Sequence, residues 1–501
     1  MSSTPQTPDQ KDPVASQAAV QAQHWFEQGL ALHKAGQFER AAALYGQALN
    51  SQPDHSDALN FLGVLFHQTG DHQRAIDLIG EAIRIDGGNG AYYSNRGLAL
   101  MELKQVDAAL AHFEQAISLN PGSAVAHYNR GNALLALGRL DSAVASYDEA
   151  LRQVPGYADA YVNRGNALAA LGQVDAAIAC WDRATAIRPD LAQAHWNKAL
   201  ALLRKGHYRE GWRLYEWRWQ WKDFPSRRRE FTQPPWRGAE PLAGKTILLH
   251  SEQGLGDTLQ FCRYARMVSG LGAHVILEVE KPLVTLLQSL EGVSRVGETG
   301  STASGFDYQC PLLSLPMAFG TELDTIPAAP AYLKASAARL AYWARTLGGP
   351  KKPRVGLIWR GNVHYDDDRG RSVALRDFLP LLSADFEFVS LQKEVRDADE
   401  EVLRALPELR HFGSALGDFA DTAALCELMD LVISVDTSVA HLAGALGKTV
   451  WILLPLIADW RWLSDRVDSP WYPSATLYRQ ARKAEWGDVI DRIRDDLALH
   501  R

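Results

Sequence analysis

A sequence repeat with a period of 34 residues occupies the N-terminal part of the chain. A small residue recurs at this period, at Gly29, Gly63, Gly97, Gly131, Gly165 and Ala199. A large residue recurs in another phase, at Tyr45, Ile79, Phe113, Tyr147 and Trp181. Small residues let two helices approach closely, and the prolines that close most of the repeats end helices. The period therefore predicts stacked helix pairs, with the large side chains filling the gaps to the next pair.

This period and its pattern of small and large residues resemble the tetratricopeptide repeat. The resemblance implies five full repeats and a partial sixth over residues 22–222, stacked into a superhelix whose concave groove takes a protein partner. The preceding residues 1–21 are rich in Ser, Thr, Pro and Gln. We expect them to form a disordered tail, because such a segment has little apolar surface to bury.

Asparagine forms a second ladder within the repeats, at Asn95, Asn129, Asn163 and Asn197. A primary amide both donates and accepts hydrogen bonds, so it can hold a peptide backbone without selecting its side chains. The ladder resembles that of the O-GlcNAc transferase repeat domain, which implies that these four residues bind an acceptor peptide. The alternative is that asparagine is simply common at this position of the repeat.

Beyond the repeats the hydrophobic pattern changes to short apolar strands that alternate with helices, which is typical of an α/β domain. We divide this part into residues 223–350, a linker with a first Rossmann-like half, and residues 351–501, a second half with a terminal helix. Five tryptophans fall between Trp212 and Trp236. We expect most of them to pack at an interface rather than to bind a sugar.

The stretch Ile433–Pro455 reads as strand, turn, helix and strand. Asp436, Thr437 and Ser438 are residue types that cap a helix, and His441 lies one turn further on. The free N–H groups and the dipole at a helix N-terminus favour an anion, and parallel sheets bind ligands at the carboxyl ends of their strands. The segment therefore predicts an anion site. The alternative is an ordinary capped helix between two strands.

Two motifs in this part resemble the heptosyltransferase-related group of GT-B glycosyltransferases. They are EQGLGDTLQFCRYA, from Glu252 to Ala265, and VDTSVAHLAGALGKTVW, from Val435 to Trp451. Heptosyltransferases have Gly-Pro where this chain has Ser438-Val439, so the donor sugar stays open. The resemblance implies a GT-B fold of two Rossmann-like halves after the helical repeats, a nucleotide-diphosphate sugar as donor, and neither a metal nor another cofactor.

The resemblance also implies roles for individual residues. Asp257 matches the acidic residue that serves as the base for the acceptor hydroxyl, and its alternative role is to cap a helix that starts at Thr258. The predicted donor-binding residues follow the strands of the second half: Arg360, Gln392, Lys393, Asp436, Thr437, Ser438 and His441. For the acidic run Asp366–Asp368 we favour a loop over the cleft, with Arg369 and Arg371 reaching phosphate, rather than a metal site.

Composition argues against nucleic-acid binding, a zinc site and a membrane span. A formal net charge of −7 argues against a general nucleic-acid binder. The four cysteines are far apart and give no zinc motif, and no apolar run approaches the roughly 18 residues of a membrane span. These features favour a cytoplasmic protein. Homo-oligomerisation stays open, because repeat arrays often self-associate.

The leading hypothesis is a metal-independent glycosyltransferase that modifies a protein recruited by the repeats. One alternative is a non-catalytic scaffold in which the repeats recruit partners and the α/β part only binds nucleotide. Another is a glycosyltransferase that acts on a lipid or polysaccharide acceptor.

Overall fold

The computed structural model describes residues 13–302, 304–361, 370–483 and 485–499. The chain divides into two compact units, Met1–Ala194 and His195–Arg501. The predicted boundary at residue 222 differs from this division, because the sixth helix pair packs within the second unit. The acidic run Asp366–Asp368 and Arg369 lie outside the described residues.

Paired α-helices build the first unit. They are α1 Pro13–Lys34, α2 Phe38–Ser51, α3 Ser56–Gln68, α4 His72–Ile85, α5 Gly90–Glu102, α6 Val106–Leu119, α7 Ala124–Ala136, α8 Leu140–Gln153, α9 Ala158–Ala170 and α10 Val174–Ile187. From α3 and α4 onward, both the first and the second helices of successive pairs begin 34 residues apart, which reproduces the period of the sequence. Residues 13–21 were expected to be disordered, but they belong to α1, whose Ala- and Gln-rich sequence favours a helix.

The large residue of each repeat packs against the glycine of the same repeat. A Cβ built on Gly97 would lie 2.5 Å from the ring of Phe113, and one on Gly131 would lie 2.5 Å from Tyr147. The expectation that these side chains fill the gap to the next repeat was therefore incomplete. The glycine is needed because the ring of the second helix occupies the space that a side chain on the first helix would take.

Two parallel sheets form the second unit, as expected for an α/β domain. Their strands are β1 Thr246–His250, β2 His274–Val279, β3 Arg295–Glu298, β4 Tyr308–Pro311, β5 Arg354–Ile358, β6 Glu387–Ser390, β7 Leu409–His411, β8 Leu431–Val435, β9 Val450–Leu454 and β10 Ala475–Arg479. The first sheet has the order β3-β2-β1-β4 and the second β10-β9-β8-β5-β6-β7. Central strands such as β8 are buried along their whole length, so they read as apolar runs.

Helices of the second unit follow the strands or precede the first sheet. They are α11 Ala192–Arg204, which starts before the boundary, α12 Tyr208–Tyr215, α13 Leu255–Phe261, α14 Ala265–Gly270, α15 Val284–Leu287, α16 Leu315–Ala318, α17 Ala337–Leu347, α18 Asp397–Arg404, α19 Phe419–Glu427, α20 Ser438–Ala445 and α21 Gly487–Leu499. None of the helices among the described residues combines the length and the apolar composition that a membrane span requires.

The aromatic side chains of α12 pack on the α/β part of the second unit. Trp212 is 1% exposed, and its ring lies 5.1 Å from Trp460 and 6.0 Å from Phe261. The indole N–H of Trp471 donates to the hydroxyl of Tyr208 at 3.1 Å. Packing, rather than an exposed platform for a sugar, therefore accounts for Trp212.

Candidate functional site

Two turns from different sheets meet in the second unit. Helix α13 starts after β1 of the first sheet, and α20 starts after β8 of the second sheet. A Cβ on Gly256 would lie 2.8 Å from Cδ2 of His441 and 3.5 Å from Cα of Ser438. Glycine is therefore required at position 256, because a larger residue would separate the two turns. The structure thus brings together the two motifs that the sequence singled out.

Asp257 lies in the first turn of α13, and both of its carboxylate oxygens have partners. Oδ2 accepts a hydrogen bond from the backbone N–H of Gly254 at 2.8 Å, which ties the N-cap residue to the first turn of the helix. Oδ1 pairs with the guanidinium of Arg461. The alternative prediction of an N-cap before Thr258 was wrong in register: Gly254 is the N-cap, and Asp257 is the third helical residue.

Arg461 is a buried cation that joins the two halves of the second unit. It is 8% exposed, its Nε donates to Oε1 of Gln260 at 2.7 Å, and its Nη1 donates to Oδ1 of Asp459 at 2.8 Å. Although burial opposes its charge, the carboxylates of Asp459 and Asp257 raise the pKa of Arg461 above its usual value. The guanidinium therefore remains charged next to the turn that precedes α20.

His441 is buried and neutral. It is 6% exposed, its Nδ1 lies 2.9 Å from the hydroxyl of Tyr472, and its ring stacks on Trp462 with the centroids 5.3 Å apart. Burial lowers the pKa of His441 well below its usual value, and the charge of Arg461 lowers it further. The ring therefore serves as a hydrogen-bonding group near neutral pH rather than as a cation for phosphate.

Asp436 holds a carboxyl group that takes up a proton more readily than an ordinary aspartate does. Burial raises its pKa to about 6, and the charge of Asp459 contributes to the rise. The charge of Arg371 opposes this rise in the pKa of Asp436, and it also lowers the pKa of His441. Arg371 therefore acts electrostatically on this turn. A protonated Asp436 would not repel an anion and would offer it a hydrogen-bond donor.

Thr437 and Ser438 stand at the start of α20. Thr437 is the N-cap, but within the described parts of the chain no side chain accepts a cap hydrogen bond there. The hydroxyl of Ser434 lies 3.4 Å from the hydroxyl of Thr437. The capping expected of Asp436, Thr437 and Ser438 is thus not made by their side chains, because the Thr437 hydroxyl faces the preceding strand end. An uncapped helix N-terminus retains donors for an anion.

The other predicted donor-binding residues make contacts within the second sheet's half. Nε of Arg360 lies 2.7 Å from Oδ2 of Asp399, and the backbone N–H of Arg360 donates to Oε1 of Gln392 at 3.3 Å. Nζ of Lys393 donates to the carbonyl of Gly417 at 3.0 Å. These three residues stabilise the ends of β5 and β6 through local contacts, and their donor-binding role stays a prediction.

The asparagine ladder also makes contacts inside the protein. Nδ2 of Asn95 donates to Oδ1 of Asn60 at 2.9 Å, which links neighbouring repeats. Nδ2 of Asn163 donates to the hydroxyl of Tyr128 and to Asn132. Asn129 is 5% exposed. The amides of Asn95 and Asn163 therefore link repeats, whereas Nδ2 of Asn129 is buried without a hydrogen-bond partner among the described residues. That the four asparagines, Asn197 included, bind a peptide stays a prediction.

Sequence reasoning did not identify Arg461 or Asp459, which complete the arrangement. Their signal is the segment DWRW, residues 459–462, in which Arg461 stands between two tryptophans and Asp459 directly precedes them, soon after the buried strand β9. Charged residues inside an aromatic segment next to a strand end indicate a buried ion pair. Within the described ranges, no group of three or more His, Cys, Asp or Glu side chains is arranged to hold a metal ion.

Comparisons with known proteins identify the repeats. A tetratricopeptide-repeat family model matches residues 26–90 and 94–158, and a TPR-repeat model matches residues 165–206. The protein FlbA of Caulobacter vibrioides (strain ATCC 19089 / CIP 103742 / CB 15) is 29% identical over 320 residues, with 58% of this chain and 52% of FlbA covered. The chain thus spans about half the length of this curated relative.

Solved structures give likenesses of limited extent. YrrB, described as a TPR protein with an unusual peptide-binding site, is 28% identical, with 34% of this chain and 88% of that chain covered and a TM-score of 0.30. MamA is 24% identical, with 34% and 94% covered and a TM-score of 0.31. The family models confirm the prediction for the N-terminal region: it consists of tetratricopeptide repeats, a fold that points to a peptide or protein partner.

Proposed function

We propose that the second unit is a GT-B glycosyltransferase, which moves a sugar from a nucleotide-diphosphate sugar to an acceptor hydroxyl on a protein bound by the repeats. The observation that carries the proposal is the meeting of the two turns at Gly256 and His441. Each turn follows a central strand of a parallel sheet, at the end where such sheets bind ligands. Transfer between two substrates needs two such half-sites side by side.

The turn before α20 suits the diphosphate of the donor. Its helix N-terminus has no side-chain cap among the described residues, so backbone N–H groups are available to phosphate oxygens. Arg371 acts electrostatically on this turn, and its positive charge offsets the negative charge of Asp436. Together these groups would stabilise the negative charge that develops on the leaving diphosphate.

A thermal-shift panel without metal and with EDTA tests the donor site on the full-length protein. The ligands are UDP, GDP, CDP and ADP with their common sugar conjugates, because a ligand that binds the native state raises the melting temperature. We expect one nucleotide series to raise it. Arg371→Gln should weaken binding of that series at least tenfold, since a charge-assisted contact to phosphate is lost.

Arg376→Gln is the matched control, since Arg376 is exposed and lies 4.0 Å from Asp377. It should bind the nucleotide as the wild type does. Equal loss in both variants would show a general effect of charge and count against the site. Transfer is then measured as release of the nucleoside diphosphate.

A non-catalytic scaffold is the second candidate, because Arg360, Lys393 and Asp257 all have partners within the chain. It predicts that a nucleotide binds without turnover. Nucleotide release that requires both the donor and an added polypeptide would exclude it. A failure of every nucleotide in the panel would refute the donor site in both candidates.

A further inference from the structure

A cavity of about 430 Å³ lies at the carboxyl ends of β1, β2 and β3. It is within the size range of small-ligand sites. Its walls include Trp219 and Arg229 from the segment before the first sheet, His250 from the end of β1, and Glu280 after β2. The cavity is therefore on the side of the first sheet where the turn to α13 begins.

Two polar atoms of the wall have no hydrogen-bond partner among the described residues. One is Nδ1 of His250, a side chain that is 3% exposed, and the other is Nη1 of Arg229. Nε2 of His250 lies 3.1 Å from Oε1 of Gln309, and the tautomer that donates to this oxygen leaves Nδ1 as an acceptor. A buried acceptor and a buried donor without partners are matched by a ligand that carries hydroxyl groups, because a hydroxyl both donates and accepts.

Glu280 places a carboxylate in this wall, next to α13. The hydroxyl of Thr258, the residue after Asp257, donates to its oxygens at 3.0 and 3.3 Å. Asp257 differs, because it holds Gly254 with one oxygen and the guanidinium of Arg461 with the other. Of the two carboxylates, Glu280 is therefore the one that lines a cavity and has a neutral hydroxyl donor.

The other acidic residues of the wall are less suited to accept a proton. Glu252 has 2% of its side chain exposed, and its two oxygens accept from Arg218 at 2.9 Å each. Glu298 is exposed at the end of β3. The charged and titratable groups around Glu280 in the wall are Arg227, Arg229, His250, Glu252, Lys281 and Glu298, with Asp257 on α13.

We propose that this cavity binds the hydroxyl-bearing group of the acceptor and that Glu280, rather than Asp257, is the base of the transfer. This inference rests on the proposed glycosyltransferase function. Asp257 is then a positioning residue, which fixes the turn at α13 and pairs with Arg461. Burial raises the pKa of Glu280, and the charge of Asp257 adds to the rise. A base with a raised pKa is better matched to neutral pH than an ordinary carboxylate.

The step balances with the substrates alone. The acceptor hydroxyl gives its proton to the Glu280 carboxylate while its oxygen forms a bond to the anomeric carbon of the donor. The bond from that carbon to the diphosphate oxygen breaks, and the nucleoside diphosphate leaves with the electron pair. His250 Nδ1 and Arg229 Nη1 would orient neighbouring polar groups of the acceptor.

The test compares Glu280→Gln, Asp257→Asn and the control Glu291→Gln, in which an exposed residue 3.4 Å from Arg266 is changed. The probe is the nucleotide sugar selected by the thermal-shift panel, with release of its nucleoside diphosphate followed from pH 5 to 9. Glu280→Gln should lower kcat by about 10²–10⁴-fold, the usual contribution of a general base. Its donor binding should stay within twofold of the wild type, and its rate should lose the rise with pH that marks deprotonation of the base.

Asp257→Asn should keep the shape of the wild-type pH profile, and Glu291→Gln should match the wild type throughout. Glu280→Gln with at least a third of the wild-type rate, or with lost donor binding, would overturn the inference while the glycosyltransferase function stands. A wild-type protein that neither binds nor consumes any donor would instead refute the proposed function, and the inference with it.

Discussion

Replacing Asp436 by Asn should stabilise the protein, and the gain should grow with pH. Folding raises the pKa of this carboxyl from 3.8 to about 6. The folded state therefore binds the proton more tightly than the unfolded state. Proton binding to Asp436 therefore stabilises the folded state. This stabilisation is fully present below pH 3.8 and is lost as the pH rises through about 6. The shift corresponds to about 3 kcal/mol at about 1.4 kcal/mol per pKa unit.

Because Asp436 is coupled to the charge of Asp459 and 14% of its side chain is exposed, we expect a gain of about 1–3 kcal/mol at pH 7.5. The gain should fall by about 1–2 kcal/mol at pH 4.5, where the native carboxyl is mostly protonated. Urea denaturation of the full-length wild type and variant at both pH values, followed by circular dichroism, measures the two differences in the free energy of unfolding.

Asp468→Asn serves as the control of opposite sign. Asp468 pairs with Arg466, and this contact lowers its pKa. The Asp468 carboxylate therefore stabilises the folded state above its unfolded pKa, and this stabilisation is lost as the pH falls through the lower folded pKa. Asp468→Asn should accordingly be less stable than the wild type at pH 7.5. A gain for Asp436→Asn that does not change between pH 4.5 and 7.5, or a loss at pH 7.5, would refute the reasoning on Asp436.

Two further predictions concern packing and buried charge. Gly97→Ala should lower the free energy of unfolding by about 1–2 kcal/mol, because the new methyl group meets the ring of Phe113. The control Gly46→Ala, in a helix with open space around the glycine, should raise the free energy of unfolding by up to about 1 kcal/mol. Urea denaturation measures both changes, and equal effects would contradict the packing argument. Arg218→Met should lower the free energy of unfolding by about 3–5 kcal/mol at pH 8, because the buried carboxylate of Glu252 loses its counter-ion. Burial raises the pKa of Glu252, so the loss should become smaller as the pH falls and the carboxylate is protonated, and a melting-temperature series over pH checks this dependence.

The repeats could be predicted from the sequence because each one repeats the same local rule. In each repeat a bulky residue such as Phe113 follows the glycine by 16 positions. The period therefore reveals both the helices and the contacts between them. The parallel sheets could be predicted for a similar reason, because buried strands such as β8 are apolar along their length. Strands β3, β4, β7 and β10 were not predicted, because they are the edge strands of the two sheets and are only partly buried, so their sequences are not continuous apolar runs.

The site could be predicted only in part, because its contacts join residues that are distant in sequence. The two turns have recognisable local patterns, and the structure brings them together. The partner of Asp257, however, is Arg461, 204 residues further along the chain. A single sequence gives the identity of a charged residue but not of the group that neutralises it. The base role expected of Asp257 was therefore assigned without knowing that both of its oxygens have partners.

Gly256 shows why the two motifs depend on each other physically. The glycine belongs to a turn after the first sheet, but its constraint comes from His441 on the second. A side chain at position 256 would push α13 away from α20 and strain the pair between Asp257 and Arg461. The requirement for glycine is therefore one of close approach, since the φ angle of Gly256 does not lie in the left-handed region. The two motifs act as one site because neither turn can shift without disturbing the other.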